Sequence, residues 1–258
     1  MGTVLLSGLH ARYTTRSGGA APMPKEVPVL AVNYKAYPTA FGEKGLAIAL
    51  AAEKVAEEYS GQVRIVLAVP ATEIARIAEV VDAATVYAQH ADPVEPGAHT
   101  GYLPLEALKE AGAKGTLLNH SEHQVKLSHI DHVVHRAATL GMETMVCADT
   151  PAAAAAAAAL SPTAVAIEPP ELIGTGIPVS RAKPEIVTNT VKMIQLVNPD
   201  IPVLTGAGIT SGDDAAAAIR LGTVGVLVAS AVMKAKDPEA KIRELAEALA
   251  NAWKEKHH

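Results

Sequence analysis

The sequence predicts an α/β protein: a single (β/α)8 barrel of parallel strands. Three observations point there. From Val27 onward, short apolar runs alternate with helical stretches without interruption, which calls for a parallel sheet. Eight such units fit into about 225 residues, and eight favour closure. An open sheet of that many strands tends to break its order somewhere, so an open doubly wound sheet is the alternative. Finally, 258 residues with 49% hydrophobic content suit one large core, and no domain boundary follows residue 28.

The elements can be justified in order. Val29–Val32 reads as the first strand, and Glu43–Tyr59 as a helix with Leu46, Leu50 and Val55 near helical spacing. Val63–Val69 is a strand, and Thr72–Val80 a helix with Thr72 as its expected cap. Thr85–Ala88, Gly115–Leu118 and Thr144–Cys147 are strands, separated by helices over Leu105–Ala111 and Ser128–Leu140. Pro151–Leu160 is a helix that opens on proline, where a missing N–H costs nothing, and continues through eight alanines, the best helix former. Thr163–Ile167 is the sixth strand, followed by a helix over Lys183–Asn198. Pro202–Thr205 and Val224–Val228 complete the set, with helices over Asp213–Leu221 and Pro238–Trp253.

Residues 1–27 differ from the rest. Met1 to Lys25 contain no acid and are rich in Ser, Thr, Gly, Pro and Arg. They read as a disordered arm or an upstream start before a genuine Met23. Arg12 and Arg16 faintly resemble a transit segment, and Val4–Leu6 is too short for a secretory signal. Removing residues 1–25 is expected to leave fold and activity unchanged. The barrel is expected over residues 28–253, with residues 254–258 as a frayed tail whose histidines resemble the remains of a tag.

Composition excludes several classes. Net charge is -5 without a basic block, so no nucleic acid is expected. The span between Asp149 and Glu168 lacks charge but is cut by Pro151 and Pro162, so no membrane helix is expected. A single cysteine, Cys147, forbids an intrachain disulfide and points to a reducing, cytoplasmic setting.

A barrel carries its chemistry at the carboxyl ends of its strands. Asn33-Tyr34-Lys35 follow strand one, and Asn119-His120-Ser121-Glu122 follow strand four. Glu168 ends strand six, and Pro169 holds it extended because αR clashes with the following ring. Gly206-Ala207-Gly208 follow strand seven, and Ala229-Ser230 close strand eight, where barrels place phosphate. Pro169-Pro170 and Gly174-Thr175-Gly176 frame a loop that reads as a lid. A base, a proton donor and a fixed cation at one mouth suit proton abstraction beside a carbonyl. Each signal has a plainer counterpart: a strand-end lysine often serves a salt bridge, and Gly-Ala-Gly occurs in many βα turns.

No metal is expected. His129, His132 and His135 recur every three residues, but His135 turns away and no carboxylate or cysteine stands at ligand spacing. His120 and His123 lack a third ligand, and His90 and His99 read as structural. Cys147 reads as a small buried thiol rather than a nucleophile.

These pieces resemble the triosephosphate isomerase family in its short archaeal form. The resemblance rests on Ala31-Val-Asn-Tyr-Lys35, Gly115-Thr-Leu-Leu-Asn-His-Ser-Glu122, Val165–Ser180, Leu204–Ile209 and Gly225–Ser230. It implies Glu168 as base, in preference to Glu171, His120 as electrophile, and Lys35 as electrostatic stabiliser. It implies substrate contacts from Asn33, Tyr34, Lys35, Ile173, Gly174, Gly208, Ala229 and Ser230. It further implies a small phosphorylated triose as substrate, no cofactor, and a homotetramer or homodimer. Ser121-Glu122 could open a short helix whose N-terminus would disfavour a second proton on His120. Two other readings remain open at this point: a lyase or aldolase with Lys35 as Schiff-base amine, and an inactive barrel serving as a binding scaffold.

Overall fold

The computed structural model describes Met23, residues 25–169 and residues 182–257. Eight parallel strands close into a barrel in sequence order. They are β1 (Val29–Asn33), β2 (Arg64–Val69), β3 (Thr85–Ala88), β4 (Gly115–Leu118), β5 (Glu143–Ala148), β6 (Ala164–Ile167), β7 (Val203–Thr205) and β8 (Gly225–Val228). The surrounding helices among the described residues are α1 (Gly42–Glu58), α2 (Ile74–Ala78), α3 (Leu105–Glu110), α4 (Leu127–Leu140) and α5 (Pro151–Ala158). They continue with α6 (Pro184–Val197), α7 (Gly212–Arg220), α8 (Ser230–Met233) and α9 (Pro238–His257).

Side-chain alternation along the strands divides the core in two. Leu30, Val32, Ile65, Leu67, Val165 and Ile167 pack outward against the helices. Ala31, Val66, Ala68, Tyr87, Leu117, Met145, Cys147, Ala164 and Ala166 fill the barrel. Many of the inner residues are small, and Tyr87, Leu117, Met145, Leu204 and Leu227 are among those that supply the bulk. Closure comes from the β1–β8 pairing, Val29 against Gly225. A Cβ at Gly225 would lie 2.1 Å from the Val29 carbonyl oxygen, so only glycine permits that approach.

Strand positions match the sequence reading to within a residue or two, but four details differ. Thr72 caps nothing: it lies inside a 3-10 turn, Ala71–Glu73, that leads into α2. The last helix continues through His257 instead of ending at Trp253 with a frayed tail. Trp253 anchors it by donating its indole N–H to the Glu26 carbonyl (3.2 Å), and basic residues in the last turn suit the helix dipole. A short helix, α8, follows β8 where only a strand end was expected. Finally, the free arm expected over residues 1–27 does not extend as far as residue 27. Met23 is 1% exposed within the inner core, and its N–H donates to the Thr163 carbonyl (3.0 Å). Apolar burial explains why this part of the chain docks although it has no periodic face.

Candidate active site

In-order parallel closure brings all eight strand carboxyl ends to one mouth. Glu168 follows β6, and its backbone stays in the ladder: its N–H donates to the Ala148 carbonyl (2.8 Å). Beside it, Gly206 continues β7, with its N–H on the Ile167 carbonyl (2.9 Å). A Cβ at Gly206 would lie 2.5 Å from Glu168 Oε1, so this glycine makes room for the carboxylate.

His120 comes in from β4 on a turn set by Asn119, whose φ is +60°. Asn119 donates to the Cys147 carbonyl (3.0 Å) and accepts the Val125 N–H (3.0 Å), which fixes that left-handed backbone. No helix opens at Ser121-Glu122; α4 starts at Leu127. The expected helix N-terminus is therefore absent, and a single amide takes its place. The Glu122 N–H donates to His120 Nδ1 (3.1 Å). Nδ1 is thus the acceptor, and a neutral ring carries its proton on Nε2.

His120 Nε2 lies 3.4 Å from Glu168 Oε2, with both side chains over nine-tenths buried. Neither atom has a hydrogen-bond partner among the described residues. Burial and, more weakly, the Lys35 charge lower the His120 pKa, but the Glu168 carboxylate outweighs them, with a smaller push from Glu122, and the net shift is upward. Burial, then the Glu168 charge, pushes the Cys147 thiol well up, so it stays protonated. That agrees with an inert thiol.

Lys35 sits at φ +49°, uncommon for a residue with a side chain. Three contacts hold it. Asn33 Oδ1 accepts its N–H (2.9 Å), Gln89 Nε2 donates to its carbonyl (3.0 Å), and its ammonium pairs with Glu122 Oε1 (2.7 Å). Asn33, Lys35, Glu168, Gly208, Ala229 and Ser230 line one cavity, with Ala207 and Tyr37 among its other walls. Ala207 (φ +62°) and Gly208 (φ +74°) are successive left-handed residues, and α8 begins beside them at Ser230.

Most of the expected residues therefore converge. Tyr34 does not: it is fully buried, with its hydroxyl donating to the Gly45 carbonyl (3.4 Å), and it belongs to the core. Ile173, Gly174 and the lid reading of Glu171–Gly176 lie outside the described residues. Sequence reasoning missed Gln89, which joins Asn33, Lys35 and the Ala68 carbonyl. Its signal was its place directly after the third strand.

A buried acid facing an imidazole, beside a lysine and a glycine-lined pocket, defines a class: a (β/α)8 enzyme for proton transfer on an anionic substrate. The comparisons narrow the class. The triosephosphate isomerase family model matches residues 28–249. The chain is 55% identical over 224 residues to a triosephosphate isomerase of Caldivirga maquilingensis, covering 87% of this chain and 98% of the relative. It is 50% identical over 218 residues to that of Methanothermus fervidus (84% and 97%), and 47% over 231 residues to that of Metallosphaera sedula (90% and 100%). The chain belongs to the triosephosphate isomerase family.

Proposed function

We infer that this protein interconverts dihydroxyacetone phosphate and D-glyceraldehyde 3-phosphate in glycolysis and gluconeogenesis, and we assign roles to its residues. Glu168 takes the proton from the carbon beside the carbonyl. His120 donates from Nε2 to the carbonyl oxygen, so an enediol or enediolate forms between them. Glu168 then returns the proton to the neighbouring carbon, while the hydroxyl on the carbon first deprotonated gives its proton back to His120 Nε2, so a carbonyl forms there and both residues regain their starting states. Lys35 stabilises the developing negative charge, and Asn33, Gly208, Ala229 and Ser230 receive the phosphorylated end.

One observation carries the assignment: His120 Nε2 and Glu168 Oε2 face each other, buried and without hydrogen-bond partners among the described residues. Buried polar atoms are ordinarily satisfied, and an exception calls for an explanation. A substrate carbonyl and its adjacent C–H placed between them would use both atoms.

A coupled isomerase assay with either triose phosphate tests the reaction; absence of turnover would overturn it. The salt bridge to Glu122 supports Lys35 as a fixed cation rather than a Schiff-base amine. Borohydride in the presence of substrate is therefore expected to leave Lys35 unmodified. Lys35→Met is expected to lower kcat and raise KM together, because one charge serves bound substrate and transition state alike. A change in KM alone would reduce Lys35 to a phosphate anchor.

We also read the assembly as a homotetramer or homodimer. Support comes from Met193, Leu196 and Val197, which expose apolar surface on α6; Leu196 is 87% exposed. Light scattering on the purified chain tests this. Residence in the cytoplasm is supported by a lone, buried cysteine, and cell fractionation tests it. No helix among the described residues is long and apolar enough to cross a membrane.

A further inference from the structure

Away from the catalytic pair, the segment after β3 meets the start of α4. His90, Asp92 and His129 each offer one ligand atom there, and these atoms lie within 4.8 Å of one another. We propose that His90 Nε2, an Asp92 carboxylate oxygen and His129 Nε2 form a binding site for a divalent late transition ion of the zinc type.

Two imidazoles and one carboxylate are a ligand set zinc accepts, with a fourth position left for water. Tetrahedral ligands at about 2.0–2.2 Å stand roughly 3.4 Å apart. His90 Nε2 and Asp92 Oδ1 already stand 3.2 Å apart. The carboxylate is aimed from behind, because its other oxygen, Oδ2, accepts the Leu103 N–H (2.8 Å). The ring of His123 stacks on His90 at 4.2 Å and holds its plane. His129 Nε2 now donates to the Ala91 carbonyl (2.8 Å), so binding moves its proton to Nδ1 or releases it. A cavity lined by Pro93, Gln124, Lys126, His129 and His132 lies against the site and provides an entry path. The His129-x-x-His132-x-x-His135 spacing, unpromising by itself, contributes one ligand, and two more come from about 40 residues earlier in the chain. A bound ion would clip the segment carrying Gln89 to α4.

The test uses the full chain with His257 and His258 replaced by alanine, stripped with chelator and titrated with zinc by calorimetry and with cobalt(II) by visible absorption. One ion per chain is expected, with intense cobalt bands of a four-coordinate site. His129→Ala and Asp92→Asn are each expected to weaken zinc binding at least about tenfold. Metal-free His129→Ala should keep its isomerase activity. Should Asp92→Asn fail to fold, for want of the Leu103 contact, His129→Ala decides alone. Zinc binding of unchanged strength in His129→Ala, or stoichiometry well below one, overturns the proposal.

Discussion

The two ends of the barrel treat partly or wholly buried charge in opposite ways. At the amino end, Arg64 forks onto Glu143 from β2 to β5 (3.0 and 2.5 Å), and the Tyr87 hydroxyl also donates to that carboxylate. Burial acts to lower the Arg64 pKa, yet Glu143 and Tyr87 outweigh it and hold the guanidinium charged. Both charges of this pair are met by a partner, and Met23 packs into the inner core. At the carboxyl end, the facing atoms of His120 and Glu168 are more deeply buried and have no hydrogen-bond partner among the described residues. The contrast separates stability from chemistry: the Arg64–Glu143 pair is satisfied within the chain, while His120 and Glu168 are, on the proposed function, the donor and acceptor for a substrate.

Exchanging the carboxylate at the reactive end is expected to have the largest effect. Glu168→Gln should lower kcat by at least about 10³-fold while melting stays near that of the parent. Glu171→Gln should do far less; equal losses would show that the wrong acid was chosen. At the satisfied end the pattern should invert. Arg64→Met leaves the Glu143 charge without its main partner and should cost about 1–3 kcal/mol, between the values for exposed and fully buried pairs because both side chains are partly exposed. Denaturant melts measure that, and kcat/KM of the folded fraction should not change. A catalytic defect at full stability would erase the distinction between the ends.

A smaller effect is expected from the chain's start. Removing residues 1–22 should be neutral, whereas removing residues 1–25 takes Met23 out of the core and should cost about 1.5–3 kcal/mol. Equal melting temperatures for the two truncations would show that Met23 contributes nothing. The smallest effect is a titration. In the substrate-free protein the His120 ring should titrate above 6.5 by NMR, because Glu168 outweighs burial. A raised folded-state pKa stabilises the protein fully below pH 6.5 and loses that contribution as pH climbs through the folded value. Glu168→Gln should bring the His120 pKa down and flatten that slope. A value already below 6.5 in the parent would mean that burial wins.

Much of this was legible in the chain. Strand positions followed from short β-branched and alanine runs, and the ends of those runs named Asn33, Lys35, His120, Glu168, Gly208, Ala229 and Ser230. Helix beginnings were less legible: Thr72 looks like a cap, yet the chain turns around it, and α8 has just four residues. Gln89 was passed over because a glutamine after a strand announces no chemistry by itself. Tyr34 was misplaced because adjacency to Asn33 and Lys35 says nothing of direction; neighbours on an extended segment point to opposite sides.

By itself the sequence determined the alternation of elements, the barrel, and the residue types at its mouth, because periodicity and chain punctuation are local properties. Tertiary structure alone decided which atoms meet. The 3.4 Å gap between His120 and Glu168, and Met23 in the inner core, each join residues whose separation in the chain carries no signal of contact. Hydrogen bonding, burial and pKa depend on distances over a few ångströms, and those distances exist only once the barrel has closed.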